Sequence, residues 1–302
     1  MDIRRLELLL ELSRLGSMRA VADTHRLPTS TVSQQIAALA REAGARLIEP
    51  DGRRVRLTPA GRRLAEHAVT ILAAVDAARL DLDPDAEPVG TVRVGGFATG
   101  IRTSLLPVLA DLAAAHPGVE VVISEYEPLE AFALLVDDEL DLALTYDYDL
   151  APASPARVLE TVPLWSTPWG LGVPAGAPAG PANLADWADQ RWIVNSRNTA
   201  DEDALRTLAS LAGFTPQIWH AIDSLDLVED LIATGRGVGL LPANRSTHPG
   251  VTFLPIVDPG VVLRAYAVTR RGRAVWPPLR AVLERMRRPL QAGQAPRPYE
   301  RP

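Results

Sequence analysis

The sequence predicts a two-lobed α/β body, preceded by an all-α, winged helix-turn-helix head and one long linking helix. Three observations predict it. Residues 16–61 read as helix, tight turn, helix and a short arginine-rich hairpin. Residues 59–82 carry apolar residues at an unbroken heptad spacing. From residue 91 strand and helix patterns alternate, and the alternation restarts near residue 160.

Composition bounds the reading. The 302 residues are 47% hydrophobic, enough for two or three buried cores. No apolar run approaches the ~20 residues of a membrane span. The first residues, MDIRRLELLLELSR, lack a cleavage site and read as an amphipathic helix, so a cytoplasmic protein is expected. There is no cysteine, which excludes disulfides, thiol nucleophiles and thiol redox sensing. The net charge of −6 is unevenly spread: residues 1–63 hold 12 arginines against 7 acids, and the rest 19 against 30. A basic head on an acidic body suits a nucleic-acid reader joined to a part that does not touch nucleic acid. Every basic residue is arginine, a composition expected of a GC-rich bacterial genome.

In the head, Ile3, Leu6, Leu9 and Leu10 form one apolar stripe of a first helix over 3–15, and Gly16 ends it. Ser17 is placed to N-cap a second helix over 18–25, and Pro28 stops its continuation. Thr29 or Ser30 is expected to cap a third helix over roughly 29–41. There Val32, Ile36 and Leu39 make a buried face, opposite Thr29, Ser30, Thr31, Ser33, Gln34 and Gln35. Hydroxyls can take phosphate or base contacts, and glutamine can pair with adenine in the major groove. Residues 46–58 read as two strands around a Pro-Asp-Gly turn, with Arg53, Arg54 and Arg56 after it, suited to phosphates or the minor groove. The candidate DNA-binding residues are therefore Ser17, Arg19, Thr29, Ser30, Thr31, Ser33, Gln34, Arg53 and Arg54.

These motifs resemble the N-terminal domain of LysR-type transcriptional regulators. The resemblance rests on Gly16, Ser17 and Ala22 in a G-S-x-x-x-x-A pattern, on Ser33, Gln35 and Ile36, and on Arg54, Leu57, Thr58, Ala60 and Gly61 in R-x-x-L-T-x-A-G. The chain departs from the family pattern at Val21, Pro28, Gln34, Ile48 and Pro50; the changes at 34 and 50 remove positive charge and bear on operator choice and affinity. The resemblance implies pairing through the linking helix, often to tetramers. It also implies an effector cleft between two lobes like those of periplasmic binding proteins.

Pro59 suits a helix start. Leu64, Ala68, Ile71, Val75, Ala78 and Leu82 follow at spacings of 4 and 3, a seam for pairing with a second copy. The stretch DPDAEPVG, 83–90, reads as a hinge. Beyond it come strand 91–97, a helix, strand 119–126, helix 129–139 and strand 140–146. A second series follows: strand patterns at 160–174 and 191–196, a helix at 199–212, a strand at 216–223, a helix at 224–234 and GRGVGLLPA. A last helix over 275–288 is expected to return to the first lobe. The expected division is head 1–58, linking helix 59–82, hinge 83–90, first lobe 91–161 with 267–302, and second lobe 162–266.

Ligands of such sheets sit at the C-terminal ends of strands. That places Thr99, Gly100, Arg102, Thr103, Tyr126, Glu127, Tyr146, Asn195 and Ser196 as candidate effector-binding residues, with Thr145 and Asp147 beside Tyr146 after the third strand. Arg102 would favour a carboxylate, and Glu127 and Asp147 an amine, so an amino acid or carboxylate effector is compatible. GRGVGLLP resembles the family's late G-x-G-x-x-x-L-P stretch. It lacks the lysine of a phosphate loop and precedes a strand rather than a helix.

An enzyme reading finds no G-x-S-x-G elbow and no H-E-x-x-H, and the five histidines are scattered. The sequence therefore predicts a DNA-binding regulator rather than an enzyme, without metal or cofactor. Its expected partners are double-stranded operator DNA, a small-molecule effector, further copies of itself as homodimer or homotetramer, and RNA polymerase. The competing readings are an effector-independent architectural DNA-binding protein and a small-molecule-binding or enzymatic α/β module.

Overall fold

The computed structural model describes residues 1–51, 54–83, 86–178, 180–245 and 247–287. Asp2 caps α1 (Ile3–Leu15) by accepting from the Arg5 amide, and Gly16 ends it in the left-handed conformation at φ 61°. Ser17 caps α2 (Met18–His25). The third helix, α3 (Thr29–Ala43), starts on Pro28 and has no side-chain cap, so Thr29 and Ser30 are its first helical residues and not its caps. Proline's fixed φ sets the extended entry that a capping hydroxyl would otherwise hold. Leu6, Leu9, Val21, Val32, Ile36 and Leu39 make the head's core. Strands β1 (Ile48–Asp51) and β2 (Arg54–Leu57) form the wing, with Asp51 opposite Arg54.

Thr58 caps α4 (Pro59–Leu82), the linking helix. Its inner stripe, Gly61, Ala65, Ala68, Val69 and Ala73, is buried within the chain. Ala68 therefore belongs to the head's core, not to a free seam, and Leu64 packs partly there as well. A helix that must also close its own head cannot offer its first turns to a partner. Ile71, Val75, Ala78 and Leu82 lie further along α4; Ile71, Ala78 and Leu82 are exposed, and Val75 is half-buried.

The body runs β3 (Gly90–Gly96), a short turn α5 (Ala98–Gly100), a π-helical segment Ile101–Leu105, α6 (Leu106–Ala115), β4 (Val119–Glu125), α7 (Pro128–Val136), β5 (Leu142–Tyr148) and β6 (Leu159–Pro174). There follow β7 (Arg191–Val194), α8 (Ala200–Leu211), β8 (Gln217–Ala221), α9 (Leu225–Ala233), β9 (Val238–Pro242), β10 (Val251–Pro255), β11 (Val261–Arg270) and α10 (Pro277–Arg287). Among the described residues nine strands form one mixed sheet. Two parallel triplets, β4-β3-β5 and β8-β7-β9, flank an antiparallel pair, β11 and β6. Each triplet is a strand–helix lobe, and β6 and β11 run from one into the other.

The residues expected as lobe borders, 161/162 and 266/267, lie inside these two long strands. Strands β10 and β11 have no counterpart in the sequence reading. Thr145, Tyr146 and Asp147 lie within β5 and not after it. Helix α10 packs Leu279 and Val282 against Val92 and Leu142 of the first lobe. Expected parts at Pro84, Asp85 and 288–302 lie outside the described residues.

Head and body meet through a charged contact. Arg14 at the end of α1 donates from Nε to Asp138 Oδ2 at 2.6 Å, and the Asp138 side chain is only 3% exposed. Thr70 of α4 donates to the Arg271 carbonyl at 3.1 Å. Removing Arg14 would leave a buried carboxylate without its cation. Arg14→Met is therefore expected to cost about 2 kcal/mol in urea unfolding, and a double-mutant cycle with Asp138→Asn should recover most of it. Additive losses would show that the pair does not couple head to body.

Candidate functional site

Two surfaces collect the residues singled out by the sequence. The first is the outer face of α3. Thr29, Ser30, Ser33 and Gln34 are exposed there, Thr31 is half-buried, and no acidic residue stands in the helix's first turn. Anions are favoured at such an N-terminus by its free amides and the helix dipole. Arg19 is exposed on α2, whereas Ser17 is half-buried and its hydroxyl accepts from the Ala20 amide at 3.4 Å. Gln35 is held from below: Arg5 Nε donates to it at 2.8 Å and also pairs with Glu42. Arg53 lies outside the described residues. Arg54 opens β2.

The second is a cavity of about 90 Å³ where the C-terminal ends of the two parallel triplets face each other across β6 and β11. Thr99, Glu127, Tyr146 and Asn195 line it, drawn from both lobes. The Tyr146 hydroxyl donates to Glu127 Oε2 at 2.9 Å, and Asn195 Nδ2 donates to that hydroxyl at 3.4 Å. Asn195 is itself oriented by the Arg197 and Asn198 amides, both donating to its Oδ1 at 2.9 Å. Glu127 begins α7 in a capping box with Glu130.

Other candidates stand elsewhere. Gly100, Arg102, Thr103, Tyr126 and Ser196 are not in the lining. A side chain at Gly100 would collide with the Phe97 ring, so its role is to admit that ring. Tyr126 packs in the first lobe's core, and Arg102 is exposed on the π-helical segment. Ser196 stands behind the cavity, donating from N and Oγ to Asp223 at 2.8 and 2.6 Å. Asp147 turns to Arg264 at 2.9 Å and Tyr266 at 3.2 Å.

Sequence reasoning missed Trp165, Thr167 and Trp169 of β6, and Asp201 and Asp223 of the second lobe, all of which line the cavity. The first three fall at alternate positions, so one face of that strand was readable as a set. The two aspartates carry no local signal. Phe97 meets Tyr146 edge to face at 4.7 Å and lies 6.2 Å from Trp165, while Tyr148 bridges Tyr146 to Trp169.

The cavity's acids are perturbed by where they sit. Burial pushes Glu127 above the ordinary carboxylate range, against the Tyr146 hydrogen bond, and Asp223 adds to the rise. Burial pushes Asp201 up to about 7, the Tyr148 hydroxyl opposing it and Glu127 and Asp223 adding to it. Burial would also raise Asp223, but its bonds from Ser196 and Arg197 outweigh that and hold it low. Among the described residues no group of three or more acids or histidines is placed to hold a metal ion, and no helix is long and apolar enough to cross a membrane.

Comparison with known proteins matches both parts of this chain. Residues 3–62 match a family model described as bacterial regulatory helix-turn-helix protein, lysR family, and residues 85–291 match the LysR substrate binding domain. The transcriptional dual regulator GltC of Bacillus subtilis is 26% identical over 92% of this chain and 93% of its own length. The DNA-binding transcriptional dual regulator OxyR of Escherichia coli is 27% identical over 97% and 95%. A full-length OxyR variant from Pseudomonas aeruginosa shares the fold at a TM-score of 0.69 and 20% identity, covering 100% of this chain and 99% of that one. CbnR in complex with its target DNA aligns at a TM-score of 0.52 and 23% identity, covering 95% and 99%.

Proposed function

This chain belongs to the LysR family of DNA-binding transcriptional regulators, and we propose that a small molecule bound in the cavity between its two α/β lobes switches it. The observation that carries this reading is the convergence of polar groups from both lobes on one cavity, with Asn195 of one reaching Tyr146 of the other. A ligand held by both lobes favours one lobe arrangement over others, and β6 and β11 pass that preference through the body. The absence of cysteine rules out thiol oxidation as the signal.

In this reading residues 1–58 read DNA, 59–82 pair two copies and 83–90 form the hinge. The two lobes, 91–161 with 267–302 and 162–266, hold the effector. Ile71, Val75, Ala78 and Leu82, none of them fully buried, keep the heptad spacing and form the pairing seam of a homodimer, with a homotetramer as its further assembly. Two copies then present two α3 helices to two half-sites of an operator. The protein works in the cytoplasm, catalyses no reaction and acts on transcription through RNA polymerase or DNA bending.

The test is binding of the purified protein to fragments of its own upstream intergenic DNA across a salt series and a metabolite panel. Site-selective, salt-sensitive binding that shifts with one metabolite is expected. Selective binding that no metabolite shifts would make the protein an architectural DNA binder. Gln34→Ala should change the preferred operator sequence, and Arg53→Ala should weaken all fragments alike and lower the salt slope by about 0.9. An unchanged slope removes Arg53 from the phosphate contacts.

A further inference from the structure

On the reading of the cavity as the effector site, we infer that its ligand is a small organic cation, an ammonium compound held by buried carboxylates and aromatic faces. Four carboxylates border the cavity, those of Glu125, Glu127, Asp201 and Asp223, and among the described residues no arginine or histidine lines it. Arg197 reaches them from outside the lining and is divided among three acids: Asp223 at 2.7 Å, Glu125 at 3.5 Å and Glu130 at 3.5 Å. Glu127 takes a neutral partner, the Tyr146 hydroxyl. The Oδ1 of Asp201 is shut off from bulk solvent and accepts no hydrogen bond. A buried carboxylate facing other acids and no cation is unfavourable, and a bound cation relieves it.

The rest of the lining suits the same chemistry. Phe97, Tyr146, Trp165 and Trp169 stand around the carboxylates, and aromatic faces attract a desolvated ammonium. A cavity of about 90 Å³ holds several non-hydrogen atoms, which fits a small amine. Arg102, the cation that would favour a carboxylate ligand, does not line the cavity. An anion entering here would meet four acids with no cation among the lining residues.

Isothermal titration calorimetry of the full chain tests this with tetramethylammonium chloride and ethanolamine hydrochloride, against sodium acetate, sodium propionate and tert-butyl alcohol. At least one cation is expected to bind saturably at millimolar concentration, and none of the controls. The double variant Glu127→Gln, Asp201→Asn keeps the side-chain shapes and should weaken cation binding by about tenfold or more, with near-UV circular dichroism checking its fold. Binding should also tighten as the pH rises through about 7, where Asp201 ionises. The titratable groups facing Asp201 are Glu127, Asp223 and the Tyr146 and Tyr148 hydroxyls. Neither cation binding would overturn the proposal. Acetate or propionate binding that the cavity-filling Thr167→Phe abolishes would overturn the cation and leave the cavity as the effector site. Cation binding that survives both the double variant and Thr167→Phe would overturn the cation's placement and the cavity reading together.

Discussion

Asp141→Ala is expected to lower the stability of the body by about 3–5 kcal/mol at neutral pH. Asp141 is a shared anchor for two arginines: it accepts from the Arg93 amide at 2.9 Å, from Arg93 Nε and Nη2 at 3.0 and 3.1 Å, and from Arg273 Nη2 at 3.0 Å. Its side chain is only 1% exposed, so solvent cannot replace it. Arg273 is buried too, stacked 4.1 Å over Trp276, which leads into α10. The alanine variant strands the buried Arg273 guanidinium, takes the carboxylate from the partly exposed Arg93, and loosens β3, β5 and the C-terminal helix together.

The effect carries its own pH signature. Burial would raise the Asp141 pKa, but the Arg93 hydrogen bond and the Arg273 charge outweigh it and hold it below the ordinary carboxylate value. A folded-state pKa below the unfolded one stabilises above the unfolded value, about 3.9, and that contribution is lost as pH falls through the folded value. Urea unfolding should therefore show the full deficit at neutral pH and a shrinking one in acid. A deficit that is constant with pH would mean that lost packing, not charge, is what the variant removes.

The second large effect is expected in the head. At Gly61 a Cβ would collide with the Leu47 carbonyl oxygen and stand 3.0 Å from its carbon. Both are backbone atoms, so no rotamer change relieves the clash. The Leu47 carbonyl is also the acceptor of the Thr58 amide at 3.0 Å, the bond that joins the wing's root to the start of α4. Gly61→Ala is expected to cost about 3 kcal/mol or more in the head and to abolish operator binding, with the body still folded by near-UV circular dichroism. Gly44→Ala is the contrast: its φ of 64° is strained for alanine, but nothing lies within 4 Å of the added carbon, so a loss of roughly 1–2 kcal/mol is expected. Wild-type DNA affinity in Gly61→Ala at physiological temperature would show that the close approach is dispensable.

Most of the head was legible because its signals are local. Gly16, Ser17 and Pro59 punctuate helices through their own backbone preferences, and Val32, Ile36 and Leu39 declare a buried face by spacing alone. The body's alternation was legible for the same reason. The cap of α3 was not, because a hydroxyl next to proline reads as a cap whether or not the proline already sets the turn. Spacing also overstates the seam of α4, because it shows that one face is apolar but not which neighbour covers each turn.

Residue identity and short-range spacing were enough for the element types, their order, the basic head on an acidic body and the exclusion of thiol chemistry. What those elements present to one another was settled by packing in three dimensions. Tyr146 meets Glu127 across 19 positions and Asn195 across 49, and Arg14 meets Asp138 across 124. The acid and aromatic lining of the cavity exists because β6 and β11 cross between lobes and bring Trp165 and Trp169 beside Asp201 and Asp223. Such contacts are set by how whole faces pack, and no local periodicity encodes which face will find which.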